Sequence, residues 1–369
     1  VTAPPAEYPH PFRTCIVLGL MLGEDGQKMS KSKRNYKEPG VIFDAYGADA
    51  LRWYFLAGQP PWTTIRYSER AIRESVPEFL IRLWNVYSFF VIYANIDGFD
   101  PGALLDAPGS LDHADLARAR GWRPVSERSE LDRWMLAELS ATAAGVVEKM
   151  DAFDHFAAAG LISGLVDGVS NWFVRRSRDR FWGAGRADGE AATPDKLDAY
   201  WTLYETLLGV ARLAAPFVPF VTETIWRNLA VGPFGGAVAE SVHLTTYPVG
   251  DPGLLDDDLV RRMALVRDVA SLGRAARASA KLKVRQPLSK VEVILADATP
   301  EDAAWLASHG ELVCDELNVK QFEICRDPDR YITRSVLPDL KKLGPRLGKL
   351  LPQARQALGN LEAVAAAGG

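Results

Sequence analysis

Residues 15–36 read CIVLGLMLGEDGQKMSKSKRNY. An apolar run from Cys15 to Leu22 leads into the loop Gly23-Glu24-Asp25-Gly26-Gln27 and then into Lys28-Met29-Ser30-Lys31-Ser32. Lys28, Lys31, Lys33 and Arg34 fall within seven residues, with two serine hydroxyls between them. Ammonium groups act as mobile point charges on phosphate oxygens, and hydroxyls add neutral donors. This is chemistry for gripping a polyphosphate. Glycines on either side of the acidic pair let the loop bend and close. A Lys/Arg/Ser cluster taken alone reads as a solvated basic loop, but the KMSKS string after an apolar strand and a glycine loop favours the phosphate reading. In nucleotidyl transfer, charge builds on the departing pyrophosphate, and a closing lysine loop stabilises it. Lys31, and secondarily Lys28, would neutralise phosphate oxygens.

The rest of the composition is less specific. A length of 369 residues predicts two or three domains with a sizeable core. Hydrophobic residues at 48% and charged residues at 24% are ordinary for a globular chain. A net charge of −4 neither points to nucleic acid nor excludes it. Three cysteines (Cys15, Cys314, Cys325) without a CxxC exclude a disulfide framework, give no zinc signature and fit a reducing setting. The five histidines (His10, His113, His155, His243, His309) show no ligand spacing and read as surface or core residues. No run of ~18 consecutive apolar residues is present, and the nearest, Leu213 to Val221, is broken by Pro216 and Pro219. No signal peptide is recognised. The chain begins at Val1 in a Pro-rich stretch and ends in an Ala/Gly run, so it is expected to be a piece of a longer protein.

Periodicity predicts a mainly α chain. Ala45, Ala48, Leu51, Arg52 and Phe55 place a helix over Asp44 to Leu56, stopped by Gly58-Gln59-Pro60-Pro61. From Ser68 to about Leu229 the pattern is helical. Ser68 caps a first long helix that Pro77 kinks or restarts and that continues to Tyr93. A loop from Asp97 to about Pro124 follows. Ser126 or Ser129 caps a second helix through Val147, and a third runs from about Asp154 to Phe181. After a loop from Gly183 to Thr193, Pro194 starts a fourth, ending near Ala215, and Pro219 opens a short fifth. Such helices describe a bundle. Another helix spans Asp257 to about Lys283, with Leu265, Val269, Leu272 and Ala276 as its apolar stripe. Strands at Val291 to Leu295 and Val319 to Cys325 flank a helix start at Thr299-Pro300-Glu301-Asp302, giving a small βαβ-like unit.

Two further segments carry chemistry. In Asn171 to Trp182, NWFVRRSRDRFW, Trp172, Arg176 and Arg180 share a helix face, with Arg175 and Arg178 to the side. Interleaved arginines and aromatics suit phosphates and unstacked bases. They equally suit core tryptophans with arginines paired to bundle carboxylates. Arg261 to Lys290 holds nine Lys/Arg against one acid, Asp268. Charges this unbalanced, including Arg267, Arg274, Arg277, Lys281, Lys283 and Arg285, favour a polyanionic partner.

These segments resemble one family. EDGQKMSKSKRNY at Glu24 to Tyr36 is similar to the signature loop of class I aminoacyl-tRNA synthetases, and its extension to Glu38-Pro39 resembles the isoleucyl enzymes of the eukaryote-like branch. NWFVRRSRDRFW resembles the same family's NWYVRRSRDRFW, with Phe173 for the usual tyrosine. LKVRQPL at Leu282 to Leu288, ELNVK at Glu316 to Lys320 and LGPRLGK at Leu343 to Lys349 also match. The resemblance spans Leu18 to about Lys349.

The resemblance implies a layout. Residues 1–62 are expected to be the C-terminal end of a Rossmann catalytic domain, with the KMSKS loop and a stem-contact helix. Residues 63–235 are expected to form an α-helical anticodon-binding bundle, and 236–369 a basic helix with a small, truncated α/β C-terminal region. It implies a parent that activates isoleucine with ATP and Mg2+ and esterifies it to tRNA-Ile. Lys28, Met29, Ser30, Lys31 and Ser32 would bind ATP, with Lys28 and Lys31 catalytic. Trp172, Arg175, Arg176, Arg178, Arg180, Arg274, Arg277, Lys281, Lys283 and Arg285 would bind tRNA. No metal site is expected in this chain. A cytoplasmic monomer without membrane contact is implied. The family's HIGH motif is not found, since His10 leads into Pro11-Phe12, so ATP and isoleucine would be held through a missing N-terminal part. The alternative is a stand-alone RNA-binding module derived from a class I synthetase.

Overall fold

The computed structural model describes residues 14–183, 192–295 and 298–327, with 330–331, 348–350 and 352–353. His10 to Phe12, most of the loop expected between Gly183 and Thr193, and most of LGPRLGK lie outside them. The chain divides into two compact units, Val1–Arg261 and Arg262–Gly369.

In the first unit, the apolar run ahead of the lysine loop is extended. β1 (Met21–Leu22) pairs in parallel with β2 (Ile65–Arg66). The Ile65 and Tyr67 amides donate to the Leu20 and Leu22 carbonyls at 3.0 and 2.8 Å. Gly19 is required by close approach, because a Cβ there would lie 1.7 Å from the Thr63 carbonyl oxygen. The helix expected over Asp44 to Leu56 is in fact two. α1 (Pro39–Tyr46) has Pro39 in its first turn, and Gly47 at φ 85° separates it from α2 (Ala48–Ala57).

α3 (Glu69–Ser75) starts on Ser68, whose hydroxyl accepts from the Ala71 amide at 3.3 Å. Pro77 has no N–H to give, and a π turn over Val76–Leu80 precedes α4 (Ile81–Asp97), which ends on left-handed Gly98. The following loop carries two single-turn helices, α5 (Pro101–Leu104) and α6 (His113–Leu116). Ser129, not Ser126, caps α7 (Glu130–Asp151), and Asp154 caps α8 (His155–Gly168). The third helix does not run unbroken to Phe181. A π turn over Val169–Val174 divides it from α9 (Arg178–Trp182). Thr193 caps α10 (Pro194–Ala214), which is buried along nearly its whole length. α11 (Pro219–Trp226), a third π turn (Arg227–Val231) and α12 (Gly232–Phe234) close the unit's helices.

α10 is the axis of this unit. Tyr200, Trp201 and Tyr204 are fully buried, and Phe99 stacks on Tyr200 with ring centroids 4.8 Å apart. Trp53 of α2 stacks on Phe79 at 3.6 Å, fixing the N-terminal segment to the bundle. Two helical stretches, Glu69–Asp97 and His155–Val174, are long and apolar enough to cross a membrane by length and composition. A count of consecutive apolar residues misses them because charges interrupt each one. Both bury apolar faces in the bundle, through Leu83, Val86 and Phe90 in one and Ile162, Leu165 and Val169 in the other.

α13 (Asp257–Ser279) carries the chain into the second unit. Its buried line is Leu259, Met263, Val266, Val269 and Ala270, whereas Leu272 of the expected stripe is 70% exposed. β3 (Val291–Val293) and β4 (Phe322–Ile324) pair in parallel, with α14 (Pro300–Ser308) and α15 (Gly310–Leu317) between them. The strands are shorter than expected, and the crossover holds two helices. Thr299 caps α14 through the Asp302 amide, as its sequence predicts. Gly273 lets α15 approach α13, since a Cβ there would lie 2.4 Å from Leu317.

Candidate functional site

The lysine loop is built around Asn35, a residue that charge counting does not flag. Its side-chain oxygen accepts from the Ser30 amide at 3.1 Å, while its amide group donates to Asp25 Oδ1 at 3.1 Å and to the Lys28 carbonyl at 3.3 Å. Gly23 makes this closure possible, because a Cβ there would lie 2.4 Å from the Asn35 carbonyl oxygen. The Gly23 amide donates to the Gln27 carbonyl at 2.8 Å, and the Met29 amide returns to the Met21 carbonyl at 3.1 Å. Met29 and Tyr36 pack against Ile42, Ala50, Tyr67 and Ile72, so Met29 anchors the loop with its side chain. Between these anchors the chain turns over Ser30 to Arg34, with both the Lys33 and Arg34 amides on the Ser30 carbonyl and Arg34 left-handed at φ 47°. The Ser30 and Ser32 hydroxyls lie 2.7 Å apart.

Lys28 and Lys31 are exposed, and no carboxylate pairs with either among the described residues. The Gln27 amide, with Asn35 and Lys33 behind it, holds the Asp25 carboxyl below its ordinary pKa, so the clamp stays charged at neutral pH. A second tie joins the loop's base to α3. Glu24 accepts from the Glu69 amide at 3.0 Å, and Arg66 Nε donates to the Glu24 carbonyl at 3.1 Å. Glu69 in turn pairs with Lys37 and accepts from the Tyr46 hydroxyl. The product is a fixed frame from which two uncommitted ammonium groups extend.

The arginine segment divides between interior and surface. Trp172 is 3% exposed and sits in the π turn, so it is a core residue, not a stacking platform. Arg180 is also corrected to a structural role. Its guanidinium is bidentate on buried Asp132 at 3.0 and 2.7 Å, and its Nε reaches Asp195 at 3.0 Å. Arg175 and Arg178 are exposed and Arg176 is half-buried. The Arg175 and Arg176 guanidinium groups lie 5.9 and 5.5 Å from the Trp172 ring. Trp182, not singled out by the helical spacing, is 57% exposed and donates to the Tyr93 hydroxyl at 2.7 Å.

The basic segment divides in the same way. Arg274 donates to the buried Glu316 carboxylate at 3.0 Å. Arg277 is 5% exposed and turned onto backbone carbonyls, which removes it from the surface cations. Lys281, Lys283 and Arg285 remain exposed. Elsewhere, His113 Nδ1 lies 2.7 Å from Glu205 and His155 Nδ1 2.8 Å from the Leu56 carbonyl. No group of three metal-ligating side chains gathers among the described residues.

Known proteins place these features. Residues 5–67 match the class I tRNA synthetase family of the isoleucine, leucine, methionine and valine enzymes, and residues 132–293 match the anticodon-binding domain of tRNA ligase. The isoleucine–tRNA ligase of Dehalococcoides mccartyi is 44% identical over 313 residues, covering 85% of this chain and 28% of that protein. That of Thermus thermophilus is 41% identical over 348 residues, covering 94% and 31%, and that of Clostridium tetani 39% over 353 residues, covering 96% and 31%. The chain spans under a third of the length of these relatives. With a lysine loop in the class I segment and a helical bundle in the anticodon-binding segment, the chain belongs to the class I aminoacyl-tRNA synthetases as a homologue of isoleucine–tRNA ligases.

Proposed function

We propose that this chain is the C-terminal part of an isoleucine–tRNA ligase that activates isoleucine with ATP and transfers it to tRNA-Ile. The observation that carries the reading is the Asn35-clamped loop with exposed Lys28 and Lys31 in the segment that matches the class I family. During activation the departing pyrophosphate gains charge, and Lys31, with Lys28, stabilises it on a loop held rigid at both ends. Ser30 and Ser32 supply neutral donors to the same oxygens. The remainder of the nucleotide and isoleucine pockets, with the Mg2+ that accompanies ATP, belongs to the rest of the ligase.

In this reading residues 1–62 complete the catalytic domain, 63–235 grip the tRNA, and 236–369 begin the C-terminal region. Arg175, Arg176 and Arg178 face tRNA from the bundle. Low cysteine use fits a cytoplasmic enzyme. A stand-alone RNA-binding module is disfavoured because it has no use for a clamped phosphate loop. The test is Lys31→Ala in a complete ligase carrying this segment. Isoleucine-dependent ATP–pyrophosphate exchange should fall about 10²–10³-fold, with tRNA binding within about twofold of wild type. Equal loss of both would make Lys31 a structural residue. The isolated 369-residue chain should give no exchange.

A further inference from the structure

The helix that backs the lysine loop, α2, has two working faces. On the first, Ala50 is buried with Ile42, Tyr67 and Ile72, and Tyr54, one turn on, packs on that cluster together with Met29 and Tyr36 of the loop. The Tyr54 hydroxyl donates to the Arg66 carbonyl, and Arg66 Nε donates to the Glu24 carbonyl at the loop's base. The second face carries Asp49, Arg52, Trp53 and Leu56, spaced to lie on one side of a helix. That side is fastened to the bundle.

Asp49 is 8% exposed, and its carboxylate accepts from the Phe220 and Val221 amides in the first turn of α11 at 3.3 and 2.8 Å. Arg52 donates from Nε to the Phe217 carbonyl at 3.1 Å and from Nη2 to the Pro216 carbonyl at 2.6 Å, at the corner between α10 and α11. At the other end of α2, His155 Nδ1 donates to the Leu56 carbonyl at 2.8 Å. Trp53 adds apolar contact, stacked on Phe79 and edge-on to Phe217 with centroids 6.3 Å apart. Apolar contact is non-directional, whereas hydrogen bonds demand alignment, so the polar ties set the register of α2 against the bundle. Burial pushes the Asp49 carboxyl above its ordinary pKa, against the pull of both amides and Arg52, so the group is kept inside at a cost. A helix that only covered its core would need no such group.

We infer that Asp49 and Arg52 are positioning residues for the phosphate-gripping loop: they fix α2 on the α10–α11 corner and, through it, the place of Lys28 and Lys31. The inference rests on the reading that these lysines stabilise the departing pyrophosphate. Asp49 and Arg52 act from the far side of α2, where they hold backbone groups of the bundle and not the loop itself. Without them the lysines stay exposed but are no longer aimed.

The experiment is a double-mutant cycle in a complete ligase carrying this segment, read as isoleucine-dependent ATP–pyrophosphate exchange. Asp49→Ala and Arg52→Gln should each lower kcat about tenfold by misplacing the loop, with the isoleucine KM within about twofold of wild type. In a Lys28→Ala/Lys31→Ala background neither should lower kcat further, because the groups they place are gone. Arg52 is exposed, so Arg52→Gln should keep wild-type melting, and it carries the cycle alone if Asp49→Ala does not fold. An unchanged kcat in Arg52→Gln, a full loss that persists in the lysine-free background, or early melting of Arg52→Gln each overturns this inference alone. Wild-type exchange by the Lys28→Ala/Lys31→Ala enzyme overturns the phosphate reading and the inference with it.

Discussion

Asn35 does the work of several charged residues with one neutral amide, joining Asp25, Lys28 and Ser30 into a single turn. Asn35→Ala should release that turn without disturbing the core. Hydrogen exchange is the measurement: the Ser30 amide should lose protection, while amides of α10 keep theirs. Arg178 and Arg180 make the opposite point, since they are alike in sequence and unlike in the fold. Arg180→Ala leaves Asp132 buried without its partner and should cost about 3–5 kcal/mol, whereas Arg178→Ala should stay within about 0.5 kcal/mol. Urea unfolding of the two variants separates them. Residue types and helical spacing could not make this distinction, because Asp132 lies 48 positions upstream of Arg180. Arg277 was hidden for the same reason, since its partners are carbonyl groups that carry no sequence signature. The exposure of Lys28 and Lys31 is legible because it follows from a local polar string.

Helix starts are readable where a side chain closes its own first turn, as at Ser68, Ser129, Asp154, Thr193 and Thr299. The π turns were not. Only Pro77 marks one in sequence, and the turn over Val169–Val174 carries no proline or glycine. It reflects packing, with Val169, Trp172, Phe173 and Val174 all buried across a face that a regular helix would divide. Left-handed Gly98 ends α4, and Gly98→Ala should destabilise by about 1 kcal/mol, measured by the same unfolding assay. α6 is tied to α10 by His113 and Glu205. Burial opposes the imidazolium, but the Glu205 hydrogen bond and charge, with Asp251, outweigh burial and Arg128 and raise the His113 pKa. A raised folded value means the pair's stabilisation is fully present below the unfolded pKa near 6.5 and is lost as pH rises through the folded value. The stability difference between wild type and His113→Gln should therefore be largest at pH 5.5–6 and shrink by pH 8.5. A difference constant across that range would mean that folding leaves the histidine's pKa unchanged, contradicting the raised value.

The described residues hold an exposed lysine loop in the class I segment and a helical bundle in the anticodon-binding segment. The bundle supplies the arginine surface, but the chain spans under a third of the relatives it matches. Motif strings established the family and the helical plan. They could not show that roughly half of the cations in the two arginine-rich segments are committed to internal carboxylates or carbonyls. Arg175 and Arg178 in the first unit and Lys281, Lys283 and Arg285 in the second are exposed, with Arg175 Nε on the Asn171 carbonyl at 2.9 Å. The most direct measurement is competition for labelled tRNA-Ile transcript bound to the full chain, repeated across a range of ionic strength. Binding through exposed cations to a tRNA backbone predicts a log–log salt slope of several units, displacement by unlabelled tRNA-Ile, and no displacement by an equal concentration of DNA duplex. A flat slope, or displacement by duplex as effective as by tRNA, would contradict it.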